Sequence, residues 1–190
     1  MPFISSSVKF INGLESFPAF RLSENTEIRA PYRLFLPRKM YRNFSILATI
    51  KPERHDKSGG FLFAVVNPSE TIVQLGLKIM DLQNDFVNVS LYYTDVTMHI
   101  ASQVWASFTI PNFIGNWAKI ALSVNGNKAR LYFQCEDYGQ ITSQRIPKVL
   151  EFDSASTLYV GQAGQLIGGQ FVVSLYWFET LIIIPYKIYA

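Results

Sequence analysis

The chain holds few groups able to do acid–base, nucleophilic or metal chemistry: two histidines, one cysteine and 14 carboxylates in 190 residues. A metal centre or an activated nucleophile needs clustered partners, yet His55 stands in the charged turn ERHDKSGG and His99 in the apolar stretch VTMHIAS. No HExxH, CxxC, GxSxG or P-loop spacing occurs, which argues against a zinc or triad enzyme. The best enzymatic temptation is Glu151-Phe-Asp153, because carboxylates two apart on a strand share a face, and sandwich-fold glycosidases hold a nucleophile and an acid on such a row. Those enzymes carry a further glutamate about three residues beyond the aspartate, and this chain has Ser156 there. The pair reads as a solvated strand edge, and no catalytic residue is expected. Asp81, Asp85 and Asp95 are loop aspartates that could contribute oxygens to a calcium ion, although their spacing is not that of an EF-hand. No other cofactor is expected.

Charge offers more. The net charge is +3, but the stretch from Arg21 to Lys57 holds nine Lys/Arg (Arg21, Arg29, Arg33, Arg38, Lys39, Arg42, Lys51, Arg54, Lys57) against Glu24, Glu27, Glu53 and Asp56. Such a local excess reads either as a solvated surface or as a contact for a polyanion, while the overall charge by itself is too small to point to nucleic acid. Within it Arg38, Lys39 and Arg42 form the tightest cluster. Two sequons are intact, at Asn43-Phe-Ser45 and Asn88-Val-Ser90, whereas Asn67-Pro-Ser69 is excluded by its proline.

The elements that must position these groups are strands. Aromatic residues make up 15% of the chain and charged residues only 16%, a bias toward side chains that suit pleated, half-buried surfaces. From residue 44 onward, short alternating runs are separated by turn signals, the pattern of sandwiches and barrels. In NFSILATIKP, Phe44, Ile46, Ala48 and Ile50 share a face; FLFAVVNP is apolar on both faces and reads as an inner strand. In TIVQLGLKI, Val73, Leu75, Leu77 and Ile79 oppose Gln74, Gly76 and Lys78, and in FVNVSLYY the apolar residues oppose Asn88 and Ser90. The clearest element is GNWAKIALSVNGNKARLYFQCED, a hairpin whose turn is Asn125-Gly126-Asn127, in which Asn-Gly tolerates the positive φ that tight reversal needs. Its alternation places Leu122, Leu131, Phe133 and Cys135 toward a core and Lys119, Lys128 and Arg130 outward. STLYVGQAG and QFVVSLYWF supply later strands, and a turn is expected near Pro37 to Tyr41. There is no repeat, linker or low-complexity tract, so residues 1–190 read as one domain.

In order along the chain, FPAFRL, LFLPRKMYRNFSILATIKP, GGFLFAVVNPSETIVQLGLKI, VSLYYTD, ASFTIPNFIGNWAKIALSVNGNKARLYFQCED and STLYVGQAG resemble the N-terminal thrombospondin-type, laminin-G-like domain of the multiplexin collagens, types XV and XVIII. The resemblance runs from about Ser5 to Leu175. It implies an all-β, concanavalin-like jelly-roll sandwich of two antiparallel sheets. It also implies a secreted, non-enzymatic extracellular-matrix module of a collagen chain, trimeric only through collagen regions this chain lacks. The implied partners are heparan sulfate or heparin and matrix proteins; no family heparin motif maps here, so the candidates remain Arg38, Lys39, Arg42, Lys119, Lys128 and Arg130. The alternative on the same fold is a lectin-like or glycan-active protein, with Trp105 and Trp117 as its unassigned aromatics.

The resemblance further implies that Cys135 matches a cysteine forming a disulfide with one near the domain's C-terminal end. After Leu175 the sequence reads YWFETLIIIPYKIYA, an atypical segment 176–190 without that partner, and loss of such a bridge costs ~2–5 kcal/mol. No signal peptide is visible at the start. The apolar stretch Leu166 to Ile184 contains Gln170 and Glu179, and its first half alternates, so it reads as strand in preference to a membrane span.

Overall fold

The computed structural model describes residues 8–23, 26–53, 58–83, 85–176 and 182–185. In chain order the strands are β1 (Val8–Asn12), β2 (Pro18–Leu22), β3 (Ile28–Pro31), β4 (Phe44–Pro52), β5 (Gly60–Val66), β6 (Val73–Asp81), β7 (Phe86–Tyr93), β8 (Val104–Pro111), β9 (Ala118–Asn125), β10 (Lys128–Phe133), β11 (Glu136–Thr142), β12 (Thr157–Val160), β13 (Val173–Tyr176) and β14 (Ile182–Pro185). A one-turn helix, α1 (Gly164–Ile167), lies between β12 and β13. The first sheet runs β1-β2-β13-β4-β9-β10-β11, with β14 also on β4; the second runs β3-β12-β5-β6-β7-β8. The pairings within both sheets are antiparallel. This is the expected sandwich.

The alternation read from the sequence furnishes the space between the sheets. Phe44, Ile46 and Ile50 of β4 and Leu122 and Leu131 of the hairpin meet Leu75, Leu77, Val89 and Leu91 in one buried cluster. Each such side chain contributes ~1.5–3 kcal/mol when fully removed from water. Strand β5 is apolar on both faces because it is covered twice: Leu62, Phe63 and Val65 enter the main core, while Phe61, Ala64 and Val66 join Val73, Tyr159 and Ala163 in a smaller cluster on the outer face of the second sheet. That second layer also buries Gln74, expected on an open polar face; its side-chain oxygen accepts a hydrogen bond from Ser156 Oγ at 2.5 Å.

The long β4 solves an edge problem. Its side away from β9 is shared by two short strands, β13 at Ile50–Pro52 and β14 at Phe44–Leu47, which pair backbone groups that would otherwise be left without partners. The apolar stretch Leu166 to Ile184 is thus α1, β13 and β14, with 177–181 outside the described residues. Among the described residues no helix is long and apolar enough to cross a membrane.

Two expectations of facing fail: Val73, read on one face with Leu75, Leu77 and Ile79, packs in the outer cluster beyond an irregularity in the β5–β6 pairing at Val65/Val66, and Cys135 is not turned inward. Cys135 does not continue β10 into the core: β10 ends at Phe133, Phe133 pairs with Glu136, and Gln134 and Cys135 form a two-residue reversal with φ of 54° and 67°. The thiol is exposed. The alternation is correct through Leu131, which is fully buried, and Phe133, which is half-buried against Phe113 with ring centroids 5.6 Å apart. Beyond that the chain turns back, and period-two reasoning has no further meaning.

Candidate functional site

The residues that position the basic cluster come from two segments lying side by side at one end of the sandwich. Met40 N donates to Leu150 O at 2.8 Å and Phe152 N to Arg38 O at 3.0 Å. Met40, Leu150 and Phe152 are buried, so the intervening charged side chains are turned outward. Arg38 Nη2 lies 2.9 Å and Lys39 Nζ 3.9 Å from the carboxylate of Glu151. One carboxylate therefore serves two cations, and all three remain largely solvated, where such pairs are worth little. Arg42 and Lys148, farther along the same two segments, are exposed.

Arg145 fastens this end. It is 1% exposed, and its Nη2 donates to the carbonyls of Arg42 and, at 3.1 Å, Lys148. The guanidinium carbon sits 5.2 Å from the Tyr93 ring centroid and 5.5 Å from that of Trp105, within cation–π range. Arg145 Nε and Nη1 are buried without a hydrogen-bond partner, as is Trp105 Nε1. Burial lowers the Arg145 pKa and the Arg42 charge adds to this, with the Tyr93 phenol acting in the other direction. Nothing in the run SQRIPK marked Arg145 beforehand, because contacts with Arg42 and Tyr93 are visible only once the chain has folded.

The β9–β10 turn joins the same end. Asn43 Oδ1 accepts a hydrogen bond from Gly126 N at 2.9 Å, and Asn127 Oδ1 one from Arg145 N at 3.3 Å. Lys128, exposed at the start of β10, is thereby brought beside the Arg42 segment. Lys119 lies at the far end of β9 from Asn125, six residues or ~20 Å away at strand rise. Arg130 shares the outward face with Lys128, but its Nη1 is 2.7 Å from Asp137 and its Nη2 donates to Gln140 Oε1 at 2.9 Å, so its charge is matched locally. Of the six candidates the fold gathers Arg38, Lys39, Arg42 and Lys128, adds Lys148, and leaves out Lys119 and Arg130. The wider basic run is dispersed: Arg21 pairs with Glu53, Arg29 with Glu27, and Arg33 donates to Ser154 O. Arg54 and Lys57, like His55, lie outside the described residues.

The other sites come apart or serve turns. Asp81 and Asp85 flank the β6–β7 turn, whereas Asp95 follows β7 at its opposite end, and no three metal-ligating side chains converge among the described residues. Asp81 Oδ1 accepts from Gln83 N, and Asp95 Oδ1 from Thr97 N, each at 2.8 Å. Glu151 is engaged with Arg38 and Lys39, and Asp153 Oδ1 accepts from Ala155 N at 2.9 Å. Trp105 packs on Tyr93, ring centroids 6.3 Å apart, and Trp117 is half-buried beside β9. Asn88 lies on the outer face of the second sheet, where its Oδ1 accepts from Ser107 Oγ at 2.9 Å and from Ser90 Oγ.

Known structures share this architecture. The chain superimposes on domains LG4-5 of the mouse laminin alpha1 chain with a TM-score of 0.56, at 12% identity over 97% of this chain and 43% of that one. A pentraxin from Limulus polyphemus gives 0.57, at 16% identity over 93% and 74%. No protein-family model matches the chain. Over 135 residues, 70% of its length, it is 35% identical to the collagen alpha-1(XVIII) chain of Homo sapiens.

The chain is a laminin-G-like domain of multiplexin-collagen type. It spans 7% of the length of that human collagen, so what the whole collagen does is a separate matter from what this domain shows. In the laminin-G-like domain the hairpin of β9 and β10 supplies both the core face and, through its turn, the anchor for the basic end. The exposed Cys135 sits at the other end of β10.

Proposed function

We propose that this domain is a non-enzymatic matrix module of a collagen chain, secreted, which binds sulfated glycosaminoglycans through its basic end. The observation that carries the reading is that three separate stretches bearing Arg38, Lys39, Arg42, Lys128 and Lys148 are tied together through Asn43 and Arg145, with Glu151 pairing only with Arg38 and Lys39 among these cations. A sulfated chain presents a repeating row of anions, and a cluster of solvated cations attracts it through the summed field, with affinity falling as salt screens that field. Lys119 and Arg130 lie outside the contact, one by distance and the other by pairing with Asp137. The similarity to collagen XVIII supports the matrix assignment.

Heparin-affinity chromatography tests it. The wild-type domain is expected to be retained at ~0.1 M salt. Changing Arg38, Lys39 and Arg42 together to Ala is expected to move elution to clearly lower salt, and Lys119→Ala to leave it nearly unchanged. Flow-through of the wild type at low salt, or equal losses for the two variants, refutes the assignment of this end.

A further inference from the structure

We propose that the outer face of the second sheet carries a separate binding pocket for an acidic sugar, a pyranose bearing a carboxylate or a sulfate. A cavity of about 450 Å³ opens there between the sheet and the loops that follow β12, within the range of small-molecule sites. Its apolar lining is Phe61, Val73, Tyr92 and Ile167. Tyr92 on β7 lies opposite Gly76 on β6, and Gly76 opposite Ala64 on β5. The half-buried Tyr92 lines the cavity with Phe61 and Val73, and its ring meets Phe61 at 5.2 Å between centroids. A Cβ at position 76 would come within 2.9 Å of Val73 Cγ1 and 3.0 Å of Phe63 O, so the space over Gly76 is filled by Val73, which lines the cavity beside Tyr92.

The walls are backbone on one side and polar side chains on the other. Gly169, at φ +63°, passes so close over the Phe61 ring that a Cβ would lie 2.7 Å from Phe61 Cδ2. Ser102 Oγ accepts a hydrogen bond from Val73 N at 2.9 Å, which leaves its own proton to donate. Lys78 is the one charged side chain among the described residues lining the cavity, and its Nζ lies 5.5 Å from the Phe61 ring centroid. The recognition follows from this inventory. A ring with a C–H face lies against Tyr92, hydroxyls meet Ser102 and the glycine backbone, and one anionic substituent pairs with Lys78. A neutral apolar guest would strip water from Lys78 and return nothing, and a cation would be repelled.

This site is independent of the basic end, and so is its test. The ¹⁵N-labelled domain is titrated with glucuronic acid, glucose 6-sulfate and glucose while backbone amide shifts are followed. Both acidic sugars are expected to bind with millimolar affinity and to shift the amides of Lys78, Tyr92 and Gly169, with glucose at least tenfold weaker. Binding of one acid alone assigns the anion as carboxylate or sulfate and supports the site. Lys78→Gln should bring the acidic sugars to the glucose level, and Tyr92→Ala should weaken them while Tyr92→Phe largely restores them. The triple change of Arg38, Lys39 and Arg42 to Ala should leave all three titrations unaltered. The proposal is overturned by absence of shifts at tens of millimolar sugar, by equal binding of glucose, by shifts confined to the basic end, or by Lys78→Gln binding as wild type.

Discussion

Arg145 is the residue whose replacement tests most of the structural reasoning at once. It ties the Arg42 and Lys148 carbonyls together while its guanidinium lies across Tyr93 and Trp105. Arg145→Ala removes two charge-assisted hydrogen bonds, worth roughly 1.5–3 kcal/mol each, and two ring contacts of about 0.5–2 kcal/mol each. It also relieves several kcal/mol of desolvation cost, a relief made larger because Nε and Nη1 find no partner. The balance is a loss of about 2–4 kcal/mol, or a fall in Tm of roughly 5–15 °C for a domain of this size. Arg145→Met keeps apolar volume between the rings and dispenses with the buried charge, so it should lose less, on the order of 1–2 kcal/mol. Urea unfolding followed by tryptophan fluorescence measures both. Heparin elution should fall in parallel, because the two segments bearing Arg42 and Lys148 lose their common tie. An Arg145→Ala protein within ~0.5 kcal/mol of wild type would refute the view that the guanidinium holds this end together, since ordinary surface changes are of that size.

Two further outcomes follow. Burial pushes the Tyr93 pKa up to about 12, against a lowering contribution from Arg145. The unfolded chain therefore loses this proton first as pH rises, and the stability present below pH ~10 is lost progressively toward pH 12, by about 2–3 kcal/mol in all. Thermal melting between pH 9 and 11.5 should show a shallower alkaline decline for Tyr93→Phe than for wild type; identical slopes would contradict the assignment. Cys135, exposed at φ 67°, should react with Ellman's reagent without denaturant, and Cys135→Gly should stabilise by about 0.5–1 kcal/mol, since glycine adopts that conformation without cost. A thiol that reacts only after unfolding would restore the inward orientation that alternation suggests.

The contrast between the two turns of the β9–β10–β11 meander explains what was legible in the sequence. Asn125-Gly126 announces its reversal because glycine accepts the positive φ that Gly126 adopts, 57°, and everything before it, from Ala118 to Val124, could be assigned a face by alternation alone. Gln134-Cys135 takes positive φ at both residues with no such signature, and β11, EDYGQIT, has almost no buried side chain to betray it. As an edge strand on the first sheet it is specified by its partner β10 more than by its own residues. β8 shows a milder form of the problem: Ala106, Phe108 and Ile110 are its buried residues, but a chain this rich in aromatics offers many such triplets, and only pairing with β7 singles it out. The functional end follows the same rule. Arg38, Lys39 and Arg42 could be found because they are adjacent in sequence, whereas Lys128, Arg145 and Lys148 belong to it through hydrogen bonds that span the fold, Asn43 to Gly126 and Arg145 to Arg42 among them. Charge clusters contiguous in sequence are readable as such. A site assembled from turns and strand ends is readable only to the extent that each turn carries its own conformational signature, and here one of the two does.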